Sequence, residues 1–286
     1  MTSLYKSELG KKEIFRLYDE KLAELNIEYT TCFIDTTYGK THVIITGNPS
    51  NPPLILVHGA NGCAPIALEC YPNLRDKYQV FAVDLLAQPT KSAETRLSMK
   101  DDSYGKWMEQ VMDKLGLNEV VMVGFSLGGL VILKTLIYTQ TRVKEAFLAS
   151  PAYIVNGNPF KALLNVFIPM KRYMRHQKMK YVEKFLATLF TKRDEFAVKF
   201  ISQVLLYFEM DFTPVPTINK AEAQKIKTPI TLIAAGQDML FPGKKMIKRA
   251  QKLIPSIKKT LLLEQSKHVQ DEADNRALEQ LILNEA

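Results

Sequence analysis

Four short, unbroken apolar runs constrain this chain more than any other feature: "LILVHG" at 54–59, "YQVFAVD" at 78–84, "EVVMVG" at 119–124 and "KEAFLAS" at 144–150. A strand with one wetted face alternates apolar and polar residues, whereas a run that is apolar at nearly every position is a strand buried on both faces. Helical stretches at 65–76, 101–116 and 127–140 separate these runs. A strand–helix series of this kind closes as a mostly parallel sheet with helices on both faces, so the fold class expected is α/β.

The rest of the chain is organised around that series. Ile14, Leu17, Tyr18, Leu22 and Leu25 recur at helical spacing, so residues 7–25 are expected to open the chain as an amphipathic helix. "TTCFIDTTYGKTHVIITG" then alternates with a period of two around Tyr38, Gly39 and Lys40, which predicts an antiparallel hairpin at a sheet edge. The strand–helix pattern stops at Pro151. Residues 152–226 are helical in character, and strand-like runs resume with "PITLIAAG" at 229–236 and "KKTLLLEQ" at 258–265 before a last helix from about 269. The expected organisation is one core domain, residues 1–150 and 226–286, interrupted by a helical insertion at 151–225.

Composition narrows the functional classes. Of 286 residues 47% are hydrophobic and 24% charged, which suits a folded globular chain rather than disorder. No apolar run is long enough for a signal peptide or a membrane span, so no stable membrane insertion and a cytoplasmic location are expected. Cys32, Cys63 and Cys70 have neither an even count nor a metal-binding spacing, and are expected to be reduced packing residues. The formal net charge of +8 comes with no recognised nucleic-acid motif, so no nucleic-acid partner is expected. Its distribution is uneven, however. Residues 151–225 hold 12 Lys and Arg against 6 Asp and Glu, so +6 of the +8 lies in the insertion.

The chemistry concentrates on "VMVGFSLGGL", residues 121–130. A serine between glycines at a strand-to-helix junction is held on a sharp turn, with its hydroxyl exposed at the carboxyl end of the strand. The N–H of Leu127 and the dipole of the helix it starts then point at any anion formed beside Ser126. A serine hydroxyl needs a base, and the base an orienting carboxylate. Of the four histidines, His42 sits in the edge hairpin and His176 in the basic insertion, while His58 ends a strand where it can hold the following loop. His268, in "LEQSKHVQD", follows the last strand and is the candidate base. For the acid, Asp238 in "GQDMLFP" has the right place, with Glu264 and Asp211 as rivals. The loop after "LILVHG" would lie beside the serine, which makes the Ala60 N–H the second oxyanion donor.

The order "HGA", "VDLLAQPTKS", "GFSLGG", "GQDMLFP", "SKHV" is similar to the α/β-hydrolase superfamily over nearly the whole chain. With the N-terminal helix and the "YGKTHVI" hairpin it resembles the small bacterial carboxylesterases, enzymes acting on esters of hydrophobic carboxylic acids. The resemblance implies an α/β-hydrolase fold, Ser126 as nucleophile, His268 as base, Asp238 as its partner, Ala60 and Leu127 as oxyanion donors, and 151–225 as a helical cap. The chain departs from the pattern at "HGANGCAPIALECYPN", which is longer than the usual segment and lacks a tryptophan before its proline, and at Lys267, where a glycine is common. Phe160, Leu163, Leu164, Phe167 and Ile168, at helical spacing in the cap, are expected to line an apolar cleft over the serine.

The expected function is hydrolysis of a small-molecule carboxylic ester through an acyl-enzyme, without metal or organic cofactor. Thioester, lipase or carbon–carbon bond hydrolysis on the same fold, a non-catalytic binding module, and a membrane-surface role for residues 160–180 are the alternatives. Oligomeric state is not readable from the sequence.

Overall fold

The structure, a computed structural model, describes residues 3–285. Helix α1 (Glu8–Glu24) leads into the hairpin β1 (Tyr29–Thr36) and β2 (Gly39–Thr46). There follow β3 (Pro53–Val57), α2 (Ala64–Cys70), α3 (Leu74–Lys77), β4 (Gln79–Val83), α4 (Ser103–Leu115), β5 (Val120–Phe125), α5 (Leu127–Tyr138) and β6 (Val143–Ala149). The next helices are α6 (Pro159–Ala162), which passes through a π-helical turn at Leu163–Phe167 into α7 (Ile168–His176), then α8 (Met179–Leu189), α9 (Glu195–Tyr207) and α10 (Lys220–Ala223). The chain returns to the sheet with β7 (Ile230–Ala235), α11 (Gly243–Leu253), β8 (Ile257–Leu263) and α12 (Glu272–Glu285).

The eight strands form one sheet in the order β1-β2-β4-β3-β5-β6-β7-β8. From β4 onward every neighbouring pair is parallel, and the hairpin joins antiparallel at the β4 edge. The apolar runs are explained by this placement, because successive residues face different cores. Ile55, Val57, Val120 and Met122 enter the core under α4, α5 and α11. Leu54, Leu56, Val121 and Val123 enter the one under α1, α2 and α12. Ser7 caps α1 by accepting from the Gly10 N–H at 3.1 Å. Ile14, Leu17 and Tyr18 bury its inner face.

Two boundaries differ from the sequence expectation. The hairpin turn is Thr37–Tyr38, and Gly39 and Lys40 already pair with Thr36 and Asp35, because Gly39 takes the left-handed φ of +112° at the first residue of the strand. The helix expected over 65–76 is two pieces, since it stops after Cys70 and resumes at Leu74. The inserted helices build a separate small core of Val166, Met170, Tyr173, Val182, Phe185 and Leu186.

Buried polar groups tie the strand ends together beneath the loops. Asp84, just past β4, accepts from Tyr18 Oη at 2.8 Å and the Ala64 N–H at 2.9 Å, and lies 2.9 Å from His42 Nδ1. One carboxylate thus joins α1, β2 and the start of α2. His58 does the same for β3 and β4: its Nδ1 donates to the Gly59 carbonyl at 2.7 Å and its Nε2 accepts from the Leu85 N–H at 3.0 Å. That pair of bonds requires the neutral ring, because a proton on Nε2 would face another N–H. Burial accordingly pushes the His58 pKa below its ordinary value, the nearby Asp84 charge opposing it.

The sign of the resulting linkage is fixed. The unfolded chain takes up a proton near an ordinary histidine value of about 6.5 that folded His58 resists, so this residue's contribution is intact above that pH and is lost as pH falls below it. One such site limits the slope to about 1.4 kcal/mol per pH unit. Urea unfolding across that range should show a steeper acid loss for the wild type than for His58→Gln; equal slopes would exclude this role.

Candidate active site

The junction of β5 and α5 is a single residue. Ser126 has φ +52° and ψ −112°, a region that non-glycine residues rarely occupy and that stores strain. Backbone bonds hold it: its N–H donates to the Ala149 carbonyl at 3.0 Å, and its own carbonyl accepts from Leu130 at 3.2 Å and Ala152 at 2.9 Å. The flanking glycines are required by close approach. A Cβ at Gly128 would stand 2.3 Å from the Val57 carbonyl oxygen, and one at Gly124 would stand 2.5 Å from Ile132 Cδ1. Helix α5 is thereby pressed against the ends of β3 and β5, and the serine side chain has nowhere to go but above the sheet.

Two loops at the same edge of the sheet meet it. His268, past β8, brings Nε2 to 3.0 Å from Ser126 Oγ, and its Nδ1 lies 2.7 Å from Asp238 Oδ2 past β7. Nδ1 faces a carboxylate and so carries the proton, which leaves Nε2 to accept from the serine hydroxyl. Asp238 is itself fixed, since Oδ1 accepts from the N–H groups of Leu240 at 2.7 Å and Phe241 at 3.0 Å. All three side chains are buried. The rings of Phe125 and Phe241 lie 5.1 and 5.4 Å from the imidazole and wall it from bulk water.

The rival residues lie elsewhere. Glu264 is exposed and pairs with Lys244 at 3.1 Å, and Asp211 is exposed and accepts from the Thr213 N–H at 2.8 Å. His42 is spent on Asp84, and His176 is exposed.

The loop after β3 passes over the serine. A Cβ at Gly59 would strike the Phe125 ring at 2.7 Å and lie 3.4 Å from Ser126 Cβ. Among the described residues neither the Ala60 nor the Leu127 N–H has a protein acceptor, while the next amide, Asn61, donates to Gln88 Oε1 at 2.8 Å. The Leu127 amide directly follows the serine, and the Ala60 amide lies in the loop after β3, whose Gly59 packs against Phe125 and Ser126.

Most of the residues expected to line an apolar cleft over the serine stand open to solvent. Phe160, Leu164 and Phe167 are 73%, 61% and 36% exposed, and Leu163 is exposed with them. The reason is packing: the opposite side of the same helix, with Val166, Met170 and Tyr173, is the one buried against α8 and α9.

Sequence reasoning missed the residues that hold the histidine loop. Gln270 Nε2 donates to Ser150 Oγ at 2.9 Å and to the His268 carbonyl at 3.2 Å. Val269 exchanges backbone bonds with the end of α8, donating to Leu189 at 2.9 Å and accepting from Thr191 at 3.0 Å. The Lys267 N–H donates to Thr191 Oγ1 at 3.0 Å. Apart from the local Gln270–His268 bond, these contacts join segments 76 to 120 residues apart, and no local signal marks them. No group of three or more His, Cys, Asp or Glu among the described residues is placed to hold a metal ion.

Comparison with known proteins agrees with this architecture. The family model for the alpha/beta hydrolase fold matches residues 52–209, and the chain belongs to that family. It is 27% identical over 265 residues to an uncharacterized carboxylesterase, nap, of Bacillus subtilis, covering 85% of this chain and 82% of the relative. It is 34% identical over 141 residues to carboxylesterase YbfK of the same organism, covering 48% and 47% of the two chains. The crystal structure of naproxen esterase from Bacillus subtilis superposes with a TM-score of 0.82 at 25% identity, covering 97% of this chain and 98% of that one. The chain thus resembles small bacterial carboxylesterases in sequence and fold.

Because the contact at Gly128 is with backbone, it cannot relax by a rotamer change. Gly128→Ala should cost about 1–3 kcal/mol in urea unfolding, the range of core overpacking, whereas Gly116→Ala at an open helix end with φ +68° should meet strain but no clash. A Gly128→Ala protein as stable as wild type would show that the elbow is looser than these distances.

Proposed function

We propose that the chain is a serine carboxylesterase that works through an acyl-enzyme, with Ser126 as nucleophile, His268 as general base and acid, and Asp238 as the residue that orients the imidazole. One observation carries the reading: the unbroken series from Ser126 Oγ through His268 Nε2 and Nδ1 to Asp238 Oδ2, with spacings of 3.0 and 2.7 Å, on a strained turn at the start of a helix. The names of the relatives, carboxylesterases with the same fold, support the substrate class.

In this reaction His268 Nε2 takes the serine proton as Oγ attacks the carbonyl carbon of the ester. The developing oxyanion is received by the N–H groups of Ala60 and Leu127, which have no competing acceptor and so need no reorganisation. Asp238 keeps the Nδ1 tautomer and stabilises the imidazolium. The imidazolium then protonates the leaving alcohol, and the same nitrogen activates water to release the acid. No metal or organic cofactor enters this sequence. Residues 151–225 act as a cap on a core made of 1–150 and 226–286, a reading supported by the bonds between α8 and the His268 loop.

A fluorophosphonate should label Ser126 alone and stop ester turnover, read by peptide mapping; an adduct on another serine with loss of activity would refute the assignment. Asp238→Asn should fold normally yet lose on the order of two to four powers of ten in kcat, because an amide favours the wrong tautomer. Glu264→Gln and Asp211→Asn should change kcat less than about tenfold, since both side chains are exposed and bonded to other partners, Lys244 and the Thr213 N–H. The reverse ranking would move the acid to the last strand.

A further inference from the structure

We propose that the outer face of the cap helix Pro159–His176 and the turn after it is a docking surface for anionic phospholipid bilayers. The proposal goes beyond the esterase reading and does not depend on it. Its first support is where the charge sits. Between Pro151 and Val182 the chain has six basic residues, Lys161, Lys171, Arg172, Arg175, Lys178 and Lys180, and no acidic one. Residues 183–225 hold six of each sign and cancel, so the whole +6 of the insertion belongs to this one stretch. All six side chains are exposed, and among the described residues none forms an ion pair.

The second support is the apolar half of the same face. Phe160, Leu163, Leu164 and Phe167 recur at three- and four-residue intervals and all stand exposed, opposite the buried seam of Val166, Met170 and Tyr173. Phe212, half exposed on the chain leaving the cap, packs edge-on against Phe167 with ring centroids 5.8 Å apart and widens the patch. The next positions along the helix, Lys171 and Arg175, carry the charge, and Met174 and Met179 stay exposed between basic neighbours.

Large apolar side chains at consecutive positions of one helix face lose free energy in water unless something covers them. Unpaired cations beside them select what that cover is. A nucleic acid would neutralise the cations and leave the apolar stripe wet; an apolar protein groove would do the opposite. The boundary of an anionic bilayer serves both, with phenyl and isobutyl groups at the acyl level and ammonium and guanidinium groups at the phosphates. No helix among the described residues is long and apolar enough to cross a membrane, so the contact is peripheral.

The test is flotation of the full chain carrying Ser126→Ala, so that binding is read without any turnover. Vesicles of phosphatidylcholine alone are compared with vesicles containing phosphatidylglycerol, at low and high salt. We expect co-flotation with the anionic vesicles, weakened by salt, and little with the neutral ones. Lys171→Glu, Arg175→Glu and Lys178→Glu combined should weaken the partition by on the order of 100-fold or more. The same triple variant with Ser126 intact should keep its turnover of a short water-soluble ester, which also shows that it folds. Phe160→Ser with Leu164→Ser should remove the part of the binding that survives high salt. Absence of binding to anionic vesicles, equal binding to neutral ones, or undiminished binding by either set of variants overturns the proposal. Absence of soluble-ester turnover by the wild-type chain would instead count against the esterase reading alone.

Discussion

The unfavourable backbone of Ser126 is the constraint on which the rest of the arrangement depends. A non-glycine residue at φ +52° costs roughly 1–3 kcal/mol, and such a conformation persists only where its surroundings over-determine it. Here the over-determination is visible: three backbone hydrogen bonds from β6, the segment after it and the first turn of α5 clamp the one residue on both sides, and Gly124 and Gly128 admit the helix to contact with the strands. Relaxing the turn would separate β5 from α5 at the centre of the sheet, where both cores meet. The strain is therefore balanced by the packing of the whole parallel sheet, and the serine hydroxyl is delivered to the loop edge as a consequence.

Everything else at the site lies where that edge allows. Parallel strands all end on the same side, so loops after β3, β5, β7 and β8 converge without any special sequence between them. The loops after β3 and β5 supply the unpaired Ala60 and Leu127 amides, and those after β7 and β8 supply Asp238 and His268. The anchoring differs in kind from loop to loop. His58 and Gln88 tie the first loop to the segment after β4, whereas Asp238 is fixed by amides of its own loop.

This explains what was legible in the sequence. The doubly buried strands, the glycine-flanked Ser126 and the strand ends carrying Asp238 and His268 are all local patterns whose meaning follows from a parallel sheet. The hairpin turn lies a residue or two earlier than the pattern places it, because Gly39 reads as turn chemistry while its backbone already pairs in β2. Phe160, Leu164 and Phe167 show a different limit of the pattern. Helical periodicity locates an apolar stripe, but this helix has two, and only the packing of α8 and α9 decides that Val166, Met170 and Tyr173 turn inward. Gln270 and Thr191 had no signal at all, since each works through partners distant in the chain.

The inserted helices are joined to the site unequally. The end of α8 is bonded to both sides of His268 through Leu189 and Thr191, so moving it would disturb the His268 loop. The stretch Pro159–His176 packs chiefly on α8 and α9, and its tie to the acid loop is the Gly157 N–H donating to the Leu240 carbonyl at 2.7 Å, just before the helix begins. The insertion's hydrogen bonds to the His268 loop come from Ala187, Leu189 and Thr191 at the end of α8, and among the described residues none comes from Pro159–His176. The insertion therefore divides in two, with α8 supporting the His268 loop and the outer helix, which bears the exposed apolar and basic face, making none of the hydrogen bonds to that loop.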